Sequence, residues 1–276
     1  VVKDTGTDNN ADTVYQIASV TKQFTAAAIL KLCSQGKLSL DDTLSKYFPD
    51  YTTGAEITIL NLMPMQSGIP DFVRNYDEEG YETSIYSYIE VTGISEYNTS
   101  EENRDALRSY IYSLPLLLNQ GERYSYCNSN YFLLGEIIEK ASGMSYHEYL
   151  RKEFFEPLGM ETAGFIDDYD IPGATVAKGY HHVSGAELLS YHGVALGCGD
   201  IMASPKDMYK WTAALHGGKV LTDEMYRVMT TPYTEATGMG EGVSYGCGLF
   251  ITEQNGTVMY AHTGSIPCFT SFVMTT

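Results

Sequence analysis

The sequence is poor in basic residues, and this limits the partners that the protein can bind. It has 17 Lys and Arg residues against 35 Asp and Glu residues, which gives a formal net charge of -18 at pH 7. Binding to nucleic acid depends on clustered Lys and Arg side chains that neutralise phosphates. The composition therefore argues against a nucleic-acid partner. An acidic balance otherwise mainly favours solubility.

Long hydrophobic runs and metal-binding motifs are also missing. The longest apolar runs are far shorter than the roughly 20 residues that a membrane-spanning helix needs, so we predict no transmembrane segment in this chain. The 5 cysteines show no C-x-x-C spacing, and free thiols are favoured over disulfides. His147-Glu148 lacks the second histidine of the zinc motif H-E-x-x-H. We expect neither a metal nor an organic cofactor.

Three short motifs carry the chemical information in the chain. In sequence order they are Ser19-Val20-Thr21-Lys22, Tyr126-Cys127-Asn128 and His262-Thr263-Gly264. Each motif alone is weak, since short patterns recur by chance. Together they supply a serine nucleophile, two candidate bases and a strand on which a substrate can dock.

The first motif opens a predicted helix that runs from Ala18 to about Gln35. Residues three apart on a helix are neighbours, so Lys22 is expected beside the Ser19 hydroxyl. A second match, Ser34-Gln35-Gly36-Lys37, straddles a glycine that is typical of a helix end. Ser34 and Lys37 therefore need not share a face, and Ser19 is the predicted nucleophile.

A serine hydroxyl becomes a good nucleophile only when a positioned base takes its proton. Lys22 can be this base if burial and like charge keep it neutral. Alternatively Lys22 stays cationic and lowers the pKa of Tyr126, whose phenolate is then the base. The sequence leaves both routes open.

The other two motifs are predicted to border the same site. Tyr126 and Asn128 fall on the turn that enters an amphipathic helix, where short polar side chains can project into a cleft. The His262 motif lies between two predicted strands, and Gly264 permits a close approach of another backbone. The backbone amides of Ser19 and Ser265 are then candidates for an oxyanion hole.

These motifs resemble those of the penicillin-recognising serine hydrolases, a superfamily that includes class C β-lactamases, D-alanyl-D-alanine carboxypeptidases and related esterases. The resemblance extends from about Val14 to Ser271. Besides His262-Thr263-Gly264, it is carried by four longer stretches: Ile17 to Thr25, Gly121 to Tyr131, Pro157-Leu158-Gly159-Met160 and Tyr245-Gly246-Cys247-Gly248-Leu249.

The resemblance implies a role for each motif residue. Ser19 would be acylated, with Lys22 and Tyr126 sharing proton transfer, and Asn128 would donate to the substrate amide. Thr263 would meet the substrate carboxylate, beside His262, which stands where many β-lactamases have lysine. Because the reference pKa of histidine is about 6.5, we expect a His262 cation to hold that carboxylate and to release it at higher pH. The Met63 to Pro70 stretch is expected to support the fold more than the chemistry.

The implied function is acyl transfer from β-lactams or D-Ala-D-Ala-type peptides through an acyl-enzyme on Ser19. An esterase with the same machinery is one alternative, and a penicillin-sensing or peptidoglycan-sensing module without turnover is another. The resemblance further implies an extracytoplasmic location, whether secreted, periplasmic or anchored to a membrane, although no signal peptide is visible in the sequence. The expected partner is therefore a small molecule or peptide: a β-lactam, a cell-wall peptide or an ester.

The expected fold class is α/β, of the α+β type, with a β-lactamase/transpeptidase-like arrangement. A mostly antiparallel sheet lobe would be built from both termini, at residues 1–55 and 190–276, with a helical lobe inserted at residues 56–189. Compared with the family, strands and a helix are expected to be missing at both ends. Such an incomplete sheet would leave edges open to strand pairing with another chain.

A competing motif, Gly242-Val243-Ser244-Tyr245-Gly246, matches the G-x-S-x-G elbow of α/β-hydrolases. That elbow needs a strand before the serine and a helix after it, followed by an acid and then a histidine. The residues after Ser244 are strand-like, and no aspartate follows them. We therefore predict that Ser244 is not the nucleophile.

Overall fold

A computed structural model describes residues 8–76, 82–85, 88–168, 171, 174–180 and 192–276. Helices and antiparallel sheets are combined as the predicted fold class requires. The helices are α1 (Thr21–Ser34), α2 (Leu44–Tyr47), α3 (Ile59–Leu62), α4 (Tyr88–Thr92), α5 (Ser100–Ser113), α6 (Asn128–Ser142), α7 (Tyr146–Leu150), α8 (Pro205–His216) and α9 (Asp223–Met229). The strands are β1 (Tyr15–Gln16), β2 (Arg74–Tyr76), β3 (Glu82–Ile85), β4 (Gly164–Phe165), β5 (Ile201–Ala203), β6 (Thr234–Glu235), β7 (Ser244–Tyr245), β8 (Phe250–Gln254), β9 (Thr257–Ile266) and β10 (Phe269–Thr275).

The largest sheet of the described residues is an antiparallel meander with the strand order β10-β9-β8-β7-β6. Strands β9 and β10 form a hairpin in which Thr263 lies opposite Phe272 and Gly264 lies opposite Ser271. Successive side chains of a strand point to opposite faces. His262 and Gly264 are accordingly buried, whereas Thr263 and Ser265 on the other face are exposed.

The N-terminal strand does not join the C-terminal strands in one sheet, as a sheet lobe built from both termini would suggest. Instead of extending the large sheet, β1 pairs with β5 in a separate sheet of order β1-β5-β4. The pairing continues to Ile17, whose N–H donates to Ile201 O at 3.0 Å. The chain then turns away, and it meets the large sheet through the Ser271 hydroxyl, which donates to Ile17 O at 2.6 Å. Residues 15–17 therefore reach the large sheet without adding a strand to it.

Helix α1 passes through the core, and nearly all of its residues are buried. The Phe24 ring stacks on Trp211 with 3.7 Å between centroids. A short 3₁₀ helix, Ala18–Val20, precedes α1, and Gly36 follows its end with φ of +68°. The predicted helix is confirmed. Ser34 is exposed and donates to Lys31 O, so it takes no part in a buried site.

Helix α6 crosses α1 at the centre of the molecule, and its residues from Ser129 to Ile138 are buried. Its first turn is held by the loop before β2: the Ser129 hydroxyl donates to Pro70 O at 2.6 Å, and Phe72 N–H donates to Ser129 Oγ at 2.9 Å. This loop fixes the position of the α6 N-terminus relative to α1.

All five cysteines are free thiols. Within the described part of the chain, every helix is too short or too polar to cross a bilayer.

Candidate active site

Ser19 lies on the 3₁₀ turn between β1 and α1, at the wall of a cleft of about 540 Å³. That volume falls in the usual range for small-molecule sites. The residue before it, Ala18, has φ of +48°, a left-handed conformation that costs energy for any residue except glycine. The strained turn leaves Ser19 half-buried, with its hydroxyl available from the cleft.

Lys22 is fully buried, and its Nζ contacts three oxygens. Its Nζ lies 3.0 Å from Ser19 Oγ, 2.8 Å from Asn128 Oδ1 and 2.8 Å from Cys198 O. The last two oxygens can only accept hydrogen bonds, so they take two N–H groups of Lys22. The third tetrahedral position of Nζ is thereby aimed at Ser19. This position holds an N–H in the protonated form of Lys22 and a lone pair in the amine form.

Tyr126 and Asn128 approach Lys22 from the opposite wall. The Lys22 Nζ lies 5.0 Å from the centroid of the Tyr126 ring, close enough for a cation–π attraction. Both residues line the cleft together with Ser19. Asn128 is the first residue of α6, one position after the N-cap residue Cys127, and its amide makes contacts across the site. The structure thus brings together the predicted residues Ser19, Lys22, Tyr126 and Asn128.

Asp71 is the charged partner behind Asn128. Its carboxylate accepts from Asn128 Nδ2 at 3.1 and 3.2 Å and from the Asn128 backbone N–H at 3.1 Å. The side chain is almost completely buried, and burial raises its pKa, against the lowering effect of hydrogen bonds from Asn128 and Val73 and of the Lys22 charge. Arg74 Nε lies 3.5 Å from Asp71 Oδ2, the oxygen that does not accept from the Asn128 backbone.

Strand β9 forms the third wall of the cleft. Thr263 and Ser265 line it, as predicted from their motif. Gly264 faces the other way: a Cβ on this residue would lie 2.2 Å from Ile17 O and 2.3 Å from Ser271 Oγ. Its role is therefore close packing of β9 against the turn that carries Ser19, rather than contact with a substrate.

The prediction for His262 is wrong, because its ring points away from the cleft into the protein. It is 1% exposed. Its Nδ1–H donates to Thr263 O at 2.7 Å, and its Nε2 accepts from the Tyr245 hydroxyl at 2.9 Å. Burial, and secondarily the charge of Lys22, lower the pKa of His262 to about 3. The neutral ring cannot hold a substrate carboxylate near neutral pH.

The Ser244 alternative is excluded by the same contacts. Ser244 begins β7 and is followed by a loop and β8, with no helix. The nitrogen of His262 that faces this region bonds to Tyr245, the next residue, and not to Ser244. The nucleophile–base contact that an elbow serine needs is therefore missing.

Sequence reasoning missed two participants in the site. Asp71 lies just beyond the Met63 to Pro70 stretch, which was expected to support the fold, and a single aspartate in a loop carries no recognisable signal. Cys198 contributes its backbone carbonyl, which any residue has, so its type gives no indication. Both depend on contacts between distant parts of the chain.

Comparisons with known proteins identify the family of the chain. A sequence model of the Beta-lactamase family matches residues 2–276. PbpX of Bacillus subtilis (strain 168) is 30% identical over 264 residues, which cover 95% of this chain and 58% of PbpX. The chain thus spans less than two thirds of the length of this curated relative.

Solved structures share the fold. An octameric penicillin-binding protein homologue from Pyrococcus abyssi superposes with a TM-score of 0.77 at 30% identity, over 97% of this chain and 60% of that chain. A penicillin binding protein from Bacillus halodurans superposes with a TM-score of 0.76 at 27% identity, over 96% and 78% of the two chains. A D-amino acid amidase from Ochrobactrum anthropi SV3 shows the same fold, with a TM-score of 0.77 at 24% identity over 98% and 80%.

Proposed function

Because the chain belongs to the beta-lactamase family, we propose that it is a serine acyl-transfer hydrolase that forms an acyl-enzyme on Ser19. The observation that carries the proposal is the position of Lys22. Its Nζ lies 3.0 Å from Ser19 Oγ, while two obligate acceptors hold its other hydrogens. A serine in contact with a base whose orientation is fixed in this way is the arrangement that nucleophilic catalysis requires.

In the proposed reaction Ser19 Oγ attacks the carbonyl carbon of the substrate and forms a tetrahedral intermediate. The hydroxyl proton passes to Lys22 or Tyr126, and the same pair then returns a proton to the leaving nitrogen or oxygen as its bond to carbon breaks. Water next attacks the acyl carbon, which releases a carboxylic acid and restores the serine. The backbone amides of Ser19 and Ser265 are the proposed donors to the oxyanion, and such a donor contributes about 3–4 kcal/mol.

For the substrate, we propose β-lactams or D-Ala-D-Ala-type peptides as the first candidates. The support is the family, together with Thr263 and Ser265, whose side chains line the cleft beside Ser19. Hydrolysis of these substrates would take place outside the cytoplasm, and the extracytoplasmic location is a proposal on the same basis. Arg74 is the basic residue among the described lining residues, and it is the candidate partner for a substrate carboxylate in place of His262.

A second candidate is hydrolysis of esters or amides without a carboxylate on the leaving side. It is favoured by the buried, hydrogen-bonded ring of His262, which leaves hydroxyl groups rather than a cation at that point of β9. The cleft is also lined by apolar side chains such as Phe72, Val194 and Phe250. Such a wall suits a neutral acyl group.

Intact-mass analysis tests both candidates. The protein is incubated separately with a penicillin, with a D-Ala-D-Ala peptide, and with the matching peptide amide and ester. An adduct with the mass of the acyl group, absent from Ser19→Ala, is the expected result. Faster turnover of the amide and ester than of the peptide acid favours the second candidate, and the reverse order favours the first.

Turnover separates a hydrolase from a sensing module. A sensor would accumulate one stable acyl group per chain with little release of product, whereas a hydrolase would release many equivalents. The absence of any adduct with all four compounds would refute the proposed acyl-enzyme.

A further inference from the structure

We propose that Asp71 is a positioning residue that sets the orientation of the Asn128 amide and, through it, aims Lys22 at Ser19. The proposal rests on the proposed acyl transfer at Ser19. Asp71 lies 57 positions before Asn128 in the chain, and nothing in its sequence neighbourhood marks it as part of the site.

The amide of Asn128 has two chemically different ends, and its environment decides which end faces Lys22. A carboxylate accepts hydrogen bonds and donates none. Both oxygens of Asp71 lie within 3.2 Å of Asn128 Nδ2, so the NH₂ end must face Asp71. Oδ1 is consequently left to face Lys22 Nζ at 2.8 Å.

The donors that surround Asp71 favour its ionised form, against the burial that raises its pKa. The Val73 N–H, which can only donate, lies 3.3 Å from its Oδ1, and Arg74 Nε approaches Oδ2 at 3.5 Å. Its Oδ1 also accepts from the first backbone N–H of α6, where a helix favours negative charge. Asp71 is therefore held between a helix N-terminus, an amide and a guanidinium, and these three groups favour a carboxylate at this position.

The consequence for Lys22 follows from its tetrahedral geometry. With Asn128 Oδ1 and Cys198 O both accepting, the remaining position of Nζ points to Ser19 Oγ. If the amide of Asn128 turned over, its NH₂ group would face the lysine. The NH₂ group of Asn128 and the N–H groups of Lys22 would then face each other as donors. Lys22 would lose its contact with Asn128 Oδ1, which directs it toward Ser19. Asp71 prevents this reversal through its contacts with Asn128 Nδ2.

The test is the acylation rate constant at saturating penicillin, followed by intact mass, separately from the apparent dissociation constant. Asp71→Asn is expected to lower the acylation rate constant at least tenfold and to change the dissociation constant less than threefold. The matched control is Asp207→Asn. Asp207 is also buried in the first turn of a helix, α8, and its carboxylate accepts from the N–H and the hydroxyl of Thr162. Its replacement should leave the acylation rate constant within twofold of wild type.

A second variant keeps the test decisive if Asp71→Asn folds poorly. The double variant Asp71→Asn, Asn128→Asp exchanges the two side chains. The amide at position 71 can then donate to the carboxylate at position 128, and that carboxylate can accept from Lys22. The double variant should acylate at least fivefold faster than Asn128→Asp alone, in which two carboxylates face each other. A folded Asp71→Asn with the wild-type acylation rate constant, or an exchange variant no faster than Asn128→Asp, overturns the role of Asp71. Failure of the wild-type protein to acylate instead refutes the proposed function.

Discussion

The Tyr245 hydroxyl lies 2.9 Å from His262 Nε2, deep in the protein. Because His262 Nδ1 lies 2.7 Å from the carbonyl oxygen of Thr263, that nitrogen carries the proton, and Nε2 can only accept. The pair therefore fixes one neutral tautomer of a histidine that stands directly before the cleft-lining Thr263. His262 was predicted to be a substrate-binding cation, but in the structure it is a neutral residue that supports β9.

Removal of the Tyr245 hydroxyl should therefore destabilise the protein. In Tyr245→Phe the buried Nε2 of His262 loses its donor, which costs about 1–3 kcal/mol. Urea unfolding measures the change. Tyr209→Phe, in which an exposed hydroxyl is removed, is the control and should change the free energy of unfolding by less than about 0.5 kcal/mol. Equal stability of the two variants would contradict the buried hydrogen bond.

His262 should also make the fold sensitive to acid. Its pKa is lowered to about 3 in the folded protein, whereas an unfolded histidine titrates near its reference pKa of about 6.5. Between these values the unfolded chain binds the proton more readily, so His262 favours folding above pH 6.5 and this contribution is lost as the pH falls toward 3. The loss approaches about 1.4 kcal/mol per pH unit.

The matching experiment follows urea unfolding of wild type and His262→Gln from pH 7 to pH 4. The glutamine variant has no group at this position that titrates in the range. We expect the wild-type protein to lose stability more steeply as the pH falls. Parallel curves would show that His262 is not held neutral by burial.

Ser19 is expected to be the only one of three candidate serines that reacts. Ser19→Ala should abolish labelling by a fluorescent penicillin, because it removes the attacking oxygen beside Lys22. Ser34→Ala and Ser244→Ala should label as the wild type does, since Ser34 bonds to Lys31 O and Ser244 lies on β7. In-gel fluorescence at a fixed time measures the result. Persistent labelling of Ser19→Ala would defeat the assignment.

Gly264→Ala should destabilise the contact between β9 and the Ser19 turn. The new Cβ would lie 2.2 Å from Ile17 O, so the backbone must shift, at a cost of about 1–3 kcal/mol. Gly199→Ala is the matched control. Its Cβ would meet Ala18 atoms only at 3.7 Å and beyond, and its free energy of unfolding should stay within about 1 kcal/mol of wild type. Thermal and urea unfolding of both variants would test the difference.

Local contacts of the site were predictable from sequence. Ser19 and Lys22 are three residues apart, across the 3₁₀ turn and the first turn of α1, and this spacing makes them neighbours. That spacing permits the 3.0 Å contact, and the remote acceptors Asn128 Oδ1 and Cys198 O direct Lys22 toward it. The helix end near Gly36 and the close approach at Gly264 were predictable for a similar reason, because only glycine fits such backbone positions without strain.

Contacts between distant segments were not predictable in this way. Whether His262 faces a cleft or the core depends on which face of β9 is covered, and a strand pattern alone does not specify this. The link from Asp71 to Asn128 depends on how the loop before β2 packs on α6. No periodicity in either segment encodes that contact.

By itself the sequence determined the reactive groups, their local helical geometry and the family of folds, because these depend on residue type and short spacing. The tertiary structure alone decided that a buried carboxylate orients the Asn128 amide, that a backbone carbonyl completes the contacts of Lys22, and that His262 is neutral. Those properties depend on burial and on hydrogen-bond partners from remote parts of the chain, which exist only once the chain has folded.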